Sequence, residues 1–158
     1  MSNYYVDTCS LKWRYLTGNP TGDINSIIES GSDDVYIGEL TILEWSSALA
    51  DAVRMDAISK EVFKSNELAL FSDIAQKRLR VFQAPRILER ARSWIEYIGV
   101  IGRRHLRTND AIHLSTALEL SSQLKTQITF LTSDSKFYGT LTSFDVLQPN
   151  LSPKFLQP

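Results

Sequence analysis

Apolar residues recur along the chain in two rhythms, and the switching between them predicts the fold. A short β-prone run from Asn3 to Val6 ends at Asp7-Thr8, two good helix-starting residues, and Leu11 to Leu16 continue as a short helix. Gly18-Asn19-Pro20-Thr21-Gly22 breaks that helix. Asp23 opens a second one, with Ile24, Ile27 and Ile28 on one face. Gly31 to Asp34 read as a turn and Val35 to Gly38 as a strand. Ile42, Trp45, Leu49 and Val53 recur at helical spacing and predict a helix from about Thr41 to Ala57. Ser59 caps the next helix, which carries Val62, Phe63, Leu70, Phe71 and Ile74. Leu79 to Phe82 form a short β-prone run. Pro85, suited to a first helical position, opens a longer helix through Ile87, Leu88, Ala91, Ile95, Ile98 and Ile101.

The last third is more regular. Thr108 or Asn109 caps a helix containing Ile112, Leu114, Ala117, Leu118 and Leu120. Ile128 to Leu131 read as a strand, Asp134 to Leu141 as a short helix, and Phe144 to Leu147 as the closing strand. Pro149 and Pro153 then end a single domain spanning residues 1–149, with 150–158 as a short tail. Strands separated by helices throughout predict an α/β fold, a parallel sheet of about four or five strands flanked by helices on both faces.

Composition narrows the function classes. No apolar run approaches the roughly 20 residues that cross a bilayer. The opening residues lack the basic start and apolar stretch of a secretory signal, so the cytoplasm is the expected compartment, with no membrane partner. One cysteine and two histidines exclude an internal disulfide framework and an ordinary structural zinc site. The net charge of −1 conceals an asymmetry. Between Lys77 and Arg107 nine basic residues face only two acids, Glu89 and Glu96, so an acidic body carries one basic segment. That pattern points to a polyanion partner such as nucleic acid; its alternative is the solvated face of one helix.

Four acids stand where chemistry gathers in a parallel sheet, beyond the carboxyl ends of strands. Asp7 follows the first strand, Asp134 follows the Ile128–Leu131 strand, and Glu44 and Asp110 sit in the first turns of their helices. Each has a structural explanation by itself. Asp7 and Asp134 suit N-caps, Thr41 to Glu44 match a capping box, and Asp110 suits the helix dipole. Together they would repel one another unless a cation joined them, and an all-oxygen set suits Mg²⁺ or Mn²⁺.

These acids lie in recognisable company. Tyr4-Tyr5-Val6-Asp7-Thr8-Cys9-Ser10 resembles the opening strand and Asp-Thr/Ser signature of PIN domains. Thr41 to Ser47, around Glu44, resembles their second acidic motif. Asp110-Ala111-Ile112-His113-Leu114-Ser115-Thr116-Ala117-Leu118 closely resembles the third. Phe130-Leu131-Thr132-Ser133-Asp134 with Phe137 resembles the fourth, and Val146-Leu147-Gln148-Pro149 the closing strand. The compact chain is most similar to the VapC toxins of prokaryotic VapBC toxin–antitoxin pairs. The resemblance implies a Mg²⁺- or Mn²⁺-dependent endoribonuclease. Asp7, Asp110 and Asp134 would hold the metal, Glu44 would complete the cluster and orient the attacking water, and Thr8 and Thr132 would hydrogen-bond carboxylates or metal waters. It further implies a small antitoxin over the acidic groove and a homodimer. Departures are Cys9 where Ser or Asn is commoner, Trp13 in place of a lysine, and Ser115 in place of an alanine.

Other residues carry weaker signals. His113, three positions after Asp110, shares its helix face; a packing role is expected, with general base as the alternative. Cys9 reads as structural. Lys12 and Arg14 flank the Asp7 motif and would meet phosphate or solvent. Trp45 and Trp94 read as core or interface, whereas Trp13 lies near the acidic edge, where it would stack on a base. The Gly18–Gly22 stretch lacks the lysine and spacing of a P-loop. The alternative functions are a non-catalytic interaction domain and a metal-dependent DNA nuclease or phosphatase.

Overall fold

Alternation along the strands divides the core in two. β1 (Asn3–Val6), β2 (Asp34–Gly38), β3 (Arg80–Phe82), β4 (Ile128–Thr132) and β5 (Leu151–Phe155) form one parallel sheet in the order β3-β2-β1-β4-β5. Successive side chains on a strand face opposite ways. Tyr5, Tyr36 and Phe130 therefore enter one core, while Val6, Val35, Ile37 and Leu131 enter the other. The computed structural model describes residues 2–16 and 23–157, so the Gly18–Gly22 breaker lies outside the described residues.

Helices cover both faces, as expected for a parallel sheet. α1 (Thr8–Tyr15), α2 (Asp23–Ser30), α3 (Glu39–Arg54) and α4 (Lys60–Ala75) supply Leu11, Ile24, Ile28, Trp45, Leu49 and Leu70 to the Val6 side. α5 (Ile87–Glu96) runs on into a π-helical turn, Tyr97–Ile101, and lies with α6 (Thr108–Leu124) and α7 (Ser135–Thr142) on the other face. Ala91, Ile98, Leu114, Ala117, Leu120, Phe137 and Leu141 fill that side. The pattern in the last third is weakest in α6 because both of its flanks are covered, down to buried Ser115 and Thr116.

Three boundaries differ from the sequence reading. Phe144 to Leu147 is not the closing strand: Asp145–Leu147 form a 3-10 turn, closed by the Leu147 N–H donating to the Phe144 carbonyl at 3.0 Å. The closing strand is β5, within the segment expected to be a tail, and it pairs with β4 from Ile128↔Leu151 to Thr132↔Phe155. Pro153 disguised it, but at a sheet edge a missing N–H costs no ladder bond. α3 begins at Glu39 rather than near Thr41, which moves Glu44 into the second turn. α5 begins at Ile87, two residues beyond Pro85, because Arg86 adopts a left-handed φ of 53° before it.

The helices on the Val6 side are tied by one buried carboxylate. Asp73, at the end of α4, accepts from Arg14 Nε at 2.8 Å, Tyr15 Oη at 2.5 Å and Arg78 Nη1 at 2.9 Å. Arg14 also reaches Asn25 and Glu29, linking α1, α2 and α4. The sequence reading offered Arg14 to phosphate; this network claims it instead. Burial pushes the Asp73 carboxyl up, but the hydrogen bonds and charge of Arg14, with Tyr15 and Arg78, outweigh it and hold the group below its ordinary value. Its stabilising effect is therefore present above the unfolded value and lost as pH falls through the lower folded one. Asp73→Ala is expected to cost about 3 kcal/mol, the low end for breaking a buried pair, since Asn25 and Glu29 still hold Arg14. Urea unfolding at neutral pH measures this; a change within about 0.5 kcal/mol, the size of an ordinary surface substitution, would refute it.

Candidate active site

The strand order brings the acids together. The chain runs outward from β1 to β2 and β3, then returns to lay β4 against the free side of β1. That reversal is where clefts open in parallel sheets. Val6 is in register with Leu131, and the Asp7 N–H donates to the Leu131 carbonyl at 3.2 Å. The two strand ends thus deliver Asp7 and Asp134 side by side. Asp7, Glu44, Asp110 and Asp134 all line one open cavity of about 260 Å³, with Thr8, Cys9, Lys12, Asn109 and His113.

Caps hold three of the four acids. Asp7 is the N-cap of α1, its Oδ1 accepting from Ser10 N at 2.8 Å. Asp134 caps α7, accepting from Lys136 N at 2.9 Å and Phe137 N at 3.0 Å. Asp110 Oδ2 accepts from Arg107 N at 3.2 Å. These structural roles coexist with the site, because each carboxylate keeps an oxygen or lone pair beyond its cap. Glu44 is different. It leaves the Thr41 N–H alone and bonds across the cavity to Thr8, to Asn109 Nδ2 at 2.6 Å and to His113 Nε2 at 2.8 Å. Thr132, expected beside the acids, accepts from Asp134 N at 3.1 Å through its hydroxyl.

Crowding and burial set the charge state. Burial lifts Asp7 above the ordinary carboxylate value, against the pull of His113, Thr132 and Ser10. Asp110 is raised by burial and then by Asp134, opposed by the Arg107 N–H. Glu44 is pushed up by burial, yet the hydrogen bonds from His113, Thr8 and Asn109 prevail and keep it low. Cys9 lies at the cavity rim with its thiol pushed up to about 11, first by burial and then by Asp7, so it is a poor nucleophile. Among the described residues no three His, Cys, Asp or Glu side chains close on one point as they stand. Mg²⁺ retains several waters and takes only one or two carboxylates directly, so an open, all-oxygen ring of this kind fits it.

Cations border the acids. Lys12 lines the acidic cavity, and a neighbouring space of about 550 Å³ is lined by Lys12, Trp13, Arg107 and Lys136. Of the nine basic residues between Lys77 and Arg107, six are in ion pairs: Arg78, Arg80, Arg86, Arg90, Arg92 and Arg107. Arg107 alone of these pairs with a site acid, reaching Asp134 Oδ2 at 3.7 Å. Most of the basic run, spread along the chain from the end of α4 to the start of α6, is thus engaged within the fold. Sequence reasoning missed Asn109, Tyr5 and Arg107, whereas His113 is buried and bonded to its neighbours, in keeping with the packing role expected of it. Tyr5 Oη and His113 Nδ1 lie 2.9 Å apart with Tyr5 fully buried, a hydroxyl that alternation alone marks only as core.

The family model for the PIN domain matches residues 4–140. The chain belongs to the PIN-domain family. Among solved structures, VapBC2 from Rickettsia felis bound to a DNA fragment from their promoter is similar at a TM-score of 0.66 and 15% identity, over 98% of each chain. VapBC-1 from nontypeable Haemophilus influenzae follows at 0.59 and 16%, over 96% of each. FitAcB from Neisseria gonorrhoeae gives 0.53 and 16%, over 87% of this chain and 91% of that one. No curated protein matches by sequence. The shared PIN fold accounts for the sheet order.

Because ionising Asp7 is disfavoured in the folded chain, its charge opposes folding at neutral pH. That penalty is absent below the ordinary carboxylate value and grows as pH rises toward the raised folded one. Asp7→Asn keeps an oxygen for the Ser10 N–H and removes the charge. It is expected to raise Tm at pH 7 in EDTA, with a gain that vanishes in acid, as scanning calorimetry would read. A lower Tm at pH 7 would show that the carboxylate is there for stability.

Proposed function

We propose that this chain is a metal-dependent endoribonuclease toxin of the VapC type, silenced by a cognate antitoxin. The observation that carries the reading is the convergence of Asp7, Glu44, Asp110 and Asp134 on one cavity at the sheet reversal. Asp7, Asp110 and Asp134 would hold Mg²⁺ or Mn²⁺, with Glu44 completing the set through the water it orients. Bound there, the ion supplies Lewis-acid stabilisation of charge on the scissile phosphate. The chain's own groups do the rest. Asp7 and Asp134 are rigid because helix N-termini grip one oxygen of each. Glu44, kept ionised, accepts a proton from the attacking water. Lys12, Arg107 and Lys136 beside the acids bind neighbouring phosphates and draw a polyanion to an otherwise repelling site. In-line attack breaks the P–O3′ bond, leaving a 5′-phosphate and a 3′-oxygen that takes a proton from solvent water to become the hydroxyl.

Partner surfaces support the toxin part of the reading. Leu43, Met55, Val62, Leu68 and Phe71 expose large apolar side chains on and beside α3 and α4, and α3 also lines the acidic cavity. Such side chains mark protein contacts when they cluster, which suits an antitoxin. Leu88, Tyr97, Val100 and Ile101 do the same on α5 and its π-helical turn, the face we assign to a homodimer. Two of the solved structures that share the fold, VapBC2 and VapBC-1, bear the name of the VapBC toxin–antitoxin pairs that the sequence motifs resemble.

Purified protein is expected to cut RNA in Mg²⁺ or Mn²⁺ and not in EDTA. Asp7→Asn and Asp110→Asn, both folded, should lose about 10²-fold or more, since several kcal/mol of transition-state stabilisation are at stake and each ~1.36 kcal/mol is tenfold. Gel assays on total RNA, with DNA and a small phosphate ester in parallel, read the outcome. Cleavage of DNA or the ester in place of RNA would substitute the other enzymatic readings. No cleavage of any substrate by folded, antitoxin-free protein would leave an interaction domain.

A further inference from the structure

Glu44 is the one site acid without a backbone cap, and three side chains do the work of one. An ionised carboxylate has about four acceptor positions, two on each oxygen. On Glu44, Oε2 takes the Thr8 hydroxyl and His113 Nε2, while Oε1 takes Asn109 Nδ2. Oε2 is thereby filled, and the acceptor position left over belongs to Oε1. The imidazole making one of these bonds is itself pinned. His113 is 4% exposed, its Nδ1 lies 2.9 Å from Tyr5 Oη, and the two rings meet edge to face at 5.9 Å. Tyr5 has no room to swing. The backbone of Gly38, at the end of β2, passes so close that a Cβ there would sit 2.7 Å from the Tyr5 hydroxyl.

We infer that His113 is a positioning residue: Tyr5 donates to Nδ1, the imidazole carries its proton on Nε2, and that N–H holds Glu44 so that only Oε1 is offered to the reacting water. The inference rests on the nuclease reading for its purpose, and it narrows the role of Glu44. With a single acceptor position, Glu44 receives one hydrogen and does not chelate an ion through both oxygens. The tautomer follows from the partners. A carboxylate acceptor fixes the proton on the nitrogen that faces it, leaving the other nitrogen to accept from the phenol. Thr8 and Asn109 complete the cradle, which explains an amide on the exposed first turn of α6 reaching across to α3.

Two experiments test this, one of which needs no RNA. Two-bond ¹⁵N–¹H correlation spectra of histidine-labelled protein resolve the two histidines, with His105→Gln assigning the other signal. The expected His113 pattern is protonated Nε2 and bare Nδ1, retained in Tyr5→Phe, where the Glu44 carboxylate still accepts from Nε2, and becoming a tautomer mixture in Glu44→Ala. An Nδ1–H tautomer in the wild type overturns the inference. The second experiment compares folded His113→Gln and His113→Asn. Gln returns an N–H near the place of Nε2, whereas Asn returns one near Nδ1. His113→Asn should lower kcat about 10–100-fold with KM nearly unchanged, the usual cost of losing a partner that orients a site ligand, and His113→Gln should recover most of it. Equal losses in both variants, or none in either, overturn the inference and return His113 to packing. A wild type that shows the expected tautomer but cuts no RNA counts against the nuclease reading, while the hydrogen-bond assignment stands.

Discussion

The pairing of β4 with β1 is the constraint on which the rest depends. Register there is fixed by burial on both faces: a slip of one residue would turn Phe130 out of one core and Leu131 out of the other. The same register brings the carboxyl ends of two strands level, and the residues that follow are Asp7 and Asp134. Both then start helices, and the cap bonds lock each carboxylate in place. Hydrophobic packing of the sheet thus sets the geometry of the charged site. Glu44 and Asp110 arrive on α3 and α6, which pack on opposite faces and meet over the same edge.

Much of this was legible in the sequence. Period-two runs gave β1, β2, β3 and β4, and helical spacing gave all seven described helices in order. The family motifs gave the PIN-type α/β sheet, and all four acids named from them line one cavity. What escaped had physical causes. β5 carries a proline, harmless at an edge but contrary to every strand rule applied to an interior position. Phe144 to Leu147 is apolar enough for a strand, yet Val146 is 53% exposed and only the 3-10 turn buries Leu147. Side-chain networks between distant segments leave no local trace. Arg14 with Asp73, and Glu44 with His113 and Asn109, lie 59, 69 and 65 residues apart. Their residues look like ordinary surface or core positions until the chain is folded.

The site sets function against stability. Asp7 is held above its ordinary carboxylate value by burial, and Asp110 by burial and then by Asp134, a cost that a chain selected for stability alone would shed. The fold offsets this elsewhere. Asp73 satisfies three donors in a dry setting on the Val6 side, and two cores of large side chains grip the sheet. A bound divalent cation would relieve the repulsion directly, so stability and metal binding are two views of the same carboxylates.

The most direct measurement is the Tm of the RNA-free, antitoxin-free protein as Mn²⁺ is titrated in. A saturable rise in Tm is expected, reversed by EDTA and weakened when Asp134 is changed to Asn. A Tm that stays flat to millimolar Mn²⁺ in a folded protein would contradict the claim that the four carboxylates form a cation site.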